Sequence, residues 1–137
     1  MIKASGYSGT PLAKKLGIKP GFNILLINQP DYYLNLFTDL PKDISINKNT
    51  SAKKNFIHYF ARNVKELVKD IPLLRDKIVS DGMIWVSWYK KSSKIPTDVT
   101  EDIIRDIALK NKLVDVKVCA IDETWSALKL VIRIKDR

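Results

Sequence analysis

The chain has 137 residues, of which 45% are hydrophobic and 28% charged, with one cysteine, one histidine and a net charge of +9. That length and balance suit one domain that buries well over half of its unfolded surface without disulfides or a structural metal. A lone cysteine excludes an internal disulfide framework, and no apolar run approaches the ~18 residues of a membrane span.

Residues 1–9 read as an irregular, glycine-containing arm, and the opening residues lack the apolar core of a signal peptide, so a cytoplasmic location and no membrane partner are expected. Thr10-Pro11 suits a helix start, with Thr10 as N-cap and Pro11 at the first helical position. This short helix should stop near Gly17, before the turn Lys19-Pro20-Gly21. Phe22–Asn28 is a continuous apolar run bounded by turn residues, as expected of a strand buried on both faces. A short helix over Asp31–Phe37 and a weak strand over Ile44–Asn47 follow. Phe56–Ala61 is a second buried strand.

Helical spacing then recurs through Val64, Leu67, Val68, Ile71, Leu74 and Ile78, with a kink or break expected at Pro72. Met83–Trp88, launched from Asp81-Gly82, is a third buried strand. Asp98 and Glu101 have capping-box spacing at the head of a helix whose apolar stripe is Val99, Ile103, Ile104 and Ile107. The tail changes pattern. Leu128, Leu130, Ile132 and Ile134 alternate with Lys129, Val131, Arg133 and Lys135, so 116–121 and 127–134 should form a β-hairpin around Asp122–Trp125.

Buried strands alternating with helices imply a mostly parallel sheet covered on both faces. The fold class is therefore α/β: a three-layer Rossmann-like sheet ending in an antiparallel β-hairpin, one domain over residues 1–137. That arrangement is similar to Rossmann-like methyltransferases, reduced by at least one strand–helix unit. Four further segments, 6–21 (GYSGTPLAKKLGIKPG), 81–93 (DGMIWVSWYKKSS), 97–109 (TDVTEDIIRDIAL) and 113–133 (LVDVKVCAIDETWSALKLVIR), resemble one bacterial family of short proteins catalogued as a domain of unknown function. The resemblance implies a free-standing protein and carries no activity with it.

Methyltransferases place glycines after the first strand, where backbone must approach the cofactor closely. Here that loop is Asn28-Gln29-Pro30-Asp31, and the end of the second strand offers Asn47-Lys48 where an acid would hold the ribose. No cofactor is therefore expected, and S-adenosylmethionine should not bind at micromolar concentration. Gly6–Thr10 lacks the ending of a phosphate-binding loop and reads as an arm before an ordinary cap. His58 inside an apolar strand reads as a core histidine and Cys119 as a small core residue. Asp122-Glu123-Thr124-Trp125 reads as a polar turn, with Trp125 covering the sheet edge. One histidine and one cysteine do not make a zinc site.

In open α/β sheets, ligands lie beyond the carboxyl ends of the strands. Asn28, Arg62 and Asn63 should sit at those ends, with Lys90, Lys91, Ser92 and Ser93 in the loop after the third strand. Together they predict a wet, basic rim for a small anion. The expected function is a non-catalytic or weakly catalytic Rossmann-like binding domain for an anionic small molecule or a protein partner. The alternative is an enzyme of methyltransferase ancestry with an altered cofactor pocket. The lysines are spread along the chain: Lys3, Lys14, Lys15 and Lys19 stand without an acid in residues 1–30, yet no stretch reads as a basic arm. Nucleic-acid binding should accordingly be weak and salt-sensitive.

Overall fold

The computed structural model describes residues 9–48 and 51–137. The arm expected over 1–9 lies outside them, except for Gly9. Strands β1 (Asn23–Ile27), β2 (Ser45–Ile46), β3 (Lys54–Phe60), β4 (Ile78–Tyr89), β5 (Leu113–Ala120) and β6 (Trp125–Ile132) form one sheet in the order β2-β1-β3-β4-β6-β5. The pairs β2–β1, β1–β3 and β3–β4 are parallel. β6 runs antiparallel to both β4 and β5. The three continuous apolar runs are thus adjacent, parallel and interior, and the alternating tail is the antiparallel pair.

Alternation along β3 divides the core. Ile57 and Tyr59 face α2 (Val64–Arg75) and α3 (Glu101–Lys110), whose Leu67, Ile71, Ile104 and Ile107 pack on that side. Phe56 and Phe60 face the other side, which is covered by α1 (Leu12–Leu16) and a 3-10 turn at Tyr33–Leu36. Fully buried Trp85 joins the second layer, donating its indole N–H to the Leu16 carbonyl at 2.9 Å. Such burial of large side chains supplies most of the stabilising free energy, at roughly 25 cal/mol per Å² of apolar surface.

Several local expectations are corrected. Pro11, not Thr10, is the N-cap of α1, and it has no side-chain cap. The Asp39 carboxylate instead accepts the Ala13 and Lys14 N–H groups, both at 3.0 Å. Gly17 closes the helix in the left-handed conformation, φ 84°. Pro72 lies within one continuous helix that ends at Arg75. Ile78, read as the last member of that helical stripe, opens β4 instead. β4 starts earlier than expected because the β3–β4 register shifts between Lys54 and Phe56, leaving residues 79–82 as an excursion. Gly82 fits there because a Cβ would stand 3.1 Å from the Lys54 and Val79 carbonyl oxygens. α3 begins at Glu101 under a Thr100 cap, whose hydroxyl accepts the Ile103 N–H. Asp98 is no cap for that helix; it reaches 34 residues back to accept the Val64 N–H at the head of α2.

Candidate functional site

Because β1, β3 and β4 are parallel neighbours, Asn28, Arg62 and Lys90 stand on one rim of the sheet. Their side chains do different things there. Asn28 adopts the left-handed conformation, φ 59°, which Asn tolerates better than most residues. Its amide donates to the Phe60 carbonyl at 3.3 Å and so links the ends of β1 and β3. Arg62 forms an ion pair with Glu66 one turn along α2, Nε to Oε1 at 3.1 Å, with 63% of its side chain exposed. The Asn63 side chain accepts the Glu66 N–H at 2.8 Å as the cap of α2. These three residues shape the rim from the β1–β3 side.

The space on the rim lies further along, between the end of β4, the start of β6 and the head of α3. It is an open groove of about 950 Å³. Lys90, Lys91, Ser92 and Lys94 line one wall, and Thr97, Thr100, Glu101 and Asp102 line the other. Trp88 and Val99 give it an apolar side, and Tyr89, whose ring packs in the opposite layer, and Ser126 of β6 border it. The loop wall is held by its own backbone. Lys90 N–H donates to the Thr124 carbonyl, and a 3-10 turn over Lys91–Ser93 closes with Lys94 at φ 60°. Ser93 does not line the groove: its hydroxyl donates to the Lys90 carbonyl at 2.6 Å and accepts the Ile95 N–H. It fixes the turn that presents the three lysines. On the other wall Arg105 binds Glu101, Asp102 and Asp115, so one cation offsets the acidic residues there.

Lys94, Thr97, Thr100 and Ser126 were not read as site residues from the sequence. A signal existed for the first three. A crossover helix that follows a parallel strand starts on the carboxyl rim, so its head and the loop before it face the same crevice. Ser126 enters only through the antiparallel register Trp88 to Ser126. The turn before β6 behaves as read: Asp122 Oδ1 accepts the Thr124 and Trp125 N–H groups, both at 2.8 Å. Trp125 is buried rather than an edge cover, its ring stacked on Tyr89 at 4.2 Å between centroids.

At β1, where a doubly wound sheet reverses its strand order, the neighbouring segments tie back onto the strand. Asn47 ends β2 at φ 52° and pairs with β1 through its side chain. It accepts the Leu26 N–H at 2.7 Å and donates to the Leu26 carbonyl at 3.3 Å. Tyr33 lies buried beneath, its ring edge-on to Phe60 and its hydroxyl 2.8 Å from His58 Nδ1. His58 Nε2 lies 2.7 Å from the Ser87 hydroxyl, so both ring nitrogens have partners. Burial lowers the imidazole pKa to about 3 and raises the Tyr33 phenol far above its usual range. The fully enclosed Tyr33–His58–Ser87 chain is a satisfied core network with no access for substrate.

No family model and no curated protein matches the chain. Solved structures do. A putative methyltransferase from Thermoplasma acidophilum matches with a TM-score of 0.58 and 7% identity over 98% of this chain and 84% of its own. Magnesium protoporphyrin IX methyltransferase from Synechocystis PCC 6803, solved with bound S-adenosylmethionine, gives 0.58 and 12% over 88% and 76%. A ribosomal protein methylase from Lactobacillus delbrueckii subsp. bulgaricus gives 0.56 and 13% over 88% and 74%. The chain therefore has an α/β Rossmann-like methyltransferase fold, six-stranded and mostly parallel, with an antiparallel strand pair at one side. Among the described residues, no helix is long and apolar enough to cross a membrane.

Proposed function

We propose that the protein is a binding domain of methyltransferase ancestry that holds a small anionic molecule with a flat apolar body in the groove between Lys90 and Asp102. The observation that carries this reading is the composition of that groove: Lys90, Lys91 and Lys94 on a tight turn beside the Trp88 ring and Val99. Lysines attract a carboxylate or phosphate, and an aromatic ring takes a planar body. The volume lies within the range of small-molecule sites. Asn28, Arg62 and Asn63 support the rim, and Ser93 holds the loop, while Lys90, Lys91 and Ser92 meet the ligand. The fold neighbours favour an enzymatic ancestor. The glycine-free loop Asn28–Asp31 and the absence of an acid at Asn47-Lys48 argue against the same cofactor being used here.

The test is a thermal-shift screen of nucleotides, aromatic carboxylates and phosphorylated metabolites, since a ligand that binds only the folded form raises its stability by mass action. For an anion found this way, Lys91→Ala should weaken binding about tenfold, as expected for one charge-assisted contact. Lys94→Asn should do the same while respecting the left-handed backbone. Both side chains are exposed, so the melting temperature should stay within a degree or two of the parent. Unchanged affinity in both variants would remove the groove from consideration.

A further inference from the structure

The two faces of the sheet differ in how their charges are matched. On the face covered by α2 and α3, Arg62 pairs with Glu66, and Arg105 with Glu101, Asp102 and Asp115. On the α1 face, lysines gather without acidic partners. Lys117 of the outer strand β5 stands directly opposite Lys129 of β6. Like charges facing each other across two strands are destabilising. Lys19, in the turn after α1, faces the same pair: burial first, then the charges of Lys117 and Lys19, lower the Lys129 pKa. Lys14 of α1 and Lys117 border one hollow that is open to solvent. Lys14, Lys117, Lys129 and Lys19 thus form a run, each beside the next, across α1, β5, β6 and the turn. Among the described residues, none of these four ammonium groups is in an ion pair. Asp39, at the head of α1, is spent on the Ala13 and Lys14 N–H groups.

We infer that this run docks the phosphate backbone of a nucleic-acid duplex, with Lys14, Lys19, Lys117 and Lys129 as the contacts. The complementarity of charge carries the inference: four unmatched cations side by side on a protein of net charge +9. The hollow is open along its outer side, so it encloses no small ligand. A polyanion lies across such a surface and meets several lysines at once, each contact releasing counterions from the duplex. It also offsets the repulsion between Lys117, Lys129 and Lys19. Lys117 Nζ donates to the Lys15 carbonyl at 3.3 Å, and an ammonium has three donors, so two remain for phosphate oxygens. No exposed aromatic ring stands along the run to stack on the bases of a single strand. Backbone contacts alone carry no sequence information, so binding is indifferent to sequence. A protein partner with acidic residues would want aromatic anchors at the centre of its interface, and the run has none. The surface is independent of the groove, with which it shares no residue.

The experiment is a titration of a fluorescently labelled, mixed-sequence DNA duplex with the full chain, followed by anisotropy. Four phosphate contacts give log affinity against log salt a slope of about −3.6, a loss on the order of a hundredfold between about 50 and 200 mM. A duplex of scrambled sequence should bind equally. Lys14→Gln combined with Lys19→Gln, both exposed positions, should bring the slope to about −2 and weaken binding about tenfold or more at the lower salt. Lys65→Gln combined with Lys69→Gln removes the same charge from exposed positions of α2, on the opposite face. That pair should leave the slope within about half a unit of the parent. Both double variants should melt within about two degrees of the parent, since only exposed side chains change. Equal losses in the two double variants would mean that net charge, and not this face, attracts the duplex. Tighter binding of the single strand would point to stacking, and stronger competition by polyglutamate than by unlabelled duplex would point to an acidic protein. Any of these results, or no binding at the lower salt, would overturn the assignment.

Discussion

Lowering the pH from 7 to 4.5 should cost the folded protein about 2–3 kcal/mol through His58 alone. The folded imidazole pKa is held at about 3 by burial, against an ordinary value of 6.5. Between those values the unfolded chain binds a proton that the native chain refuses. The stability is thus fully present above the unfolded pKa and drains as the pH falls below it. The hydroxyls of Tyr33 and Ser87 each adapt to the neutral ring, one accepting and one donating, but two ring donors would disturb the pair. Urea titrations at pH 7, 5.5 and 4.5 measure the slope. His58→Gln keeps a neutral donor and acceptor but cannot titrate, so its slope over this window should be much shallower. Equal slopes in parent and variant would mean that the ring is accessible to protons in the native state.

Trp85→Ala should be the most damaging single substitution of those considered, at about 3–5 kcal/mol. The ring is fully buried in the layer beneath α1, and its N–H satisfies the Leu16 carbonyl. α1 has five residues and could not hold its shape alone. It is kept by Trp85, by the Asp39 carboxylate and by the apolar contacts of Leu12, Ala13 and Leu16. Losing Trp85 should therefore also release Lys14 and Lys15 from the edge of β5. Trp85→Phe separates the two contributions: it retains most of the packing and leaves the Leu16 carbonyl unpaired, for about 1–3 kcal/mol. Urea midpoints of the two variants give the comparison. A cost for Trp85→Ala no larger than that for Trp85→Phe would show that α1 does not depend on the ring.

The sheet was legible because burial leaves a one-dimensional trace. Residues 22–28, 56–61 and 83–88 are continuous apolar runs, and only strands covered on both faces tolerate that. Residues 127–134 alternate, which marks the antiparallel return. Contacts made across many residues left no such trace. Asp98 and Thr100 are both good caps two positions apart, and Asp98 is diverted by Val64, far away in sequence. Thr10 lost its role in the same way, to Asp39. Ile78 fitted a helical stripe by spacing, but the α2 helix stops at Arg75 and the residue pairs with Lys54 in the sheet.

The rim was legible in part for a related reason. That Lys90, Lys91 and Ser92 follow a parallel strand is enough to place them at the carboxyl edge. Which neighbours join them depends on the strand order β3-β4-β6 and on where α3 starts. Arg62 was counted with the lysines, although Glu66 one helical turn on was a visible partner. The approach of α1 to the β5 edge, where Lys15 bonds the Ala120 carbonyl and Lys117 the Lys15 carbonyl, was hidden altogether, because Lys14, Lys15 and Lys19 lie about a hundred residues from Lys117 and Lys129. Charge density along the chain shows no basic stretch, yet the fold gathers five lysines at the edge formed by β5, β6 and α1.

The central claim is that the ligand space of this Rossmann-like domain has moved from the crevice over β1 to the groove at the ends of β4 and β6. Amide chemical-shift mapping of the isotope-labelled protein tests it most directly. The best anion from the screen, and separately S-adenosylmethionine, would be titrated at micromolar to millimolar concentration. The account predicts saturable shifts for the anion at Lys90–Asp102 and Ser126, and no saturable shift anywhere for micromolar S-adenosylmethionine. Saturable shifts centred on Asn28–Tyr33 and Asn47, for either compound, would contradict it.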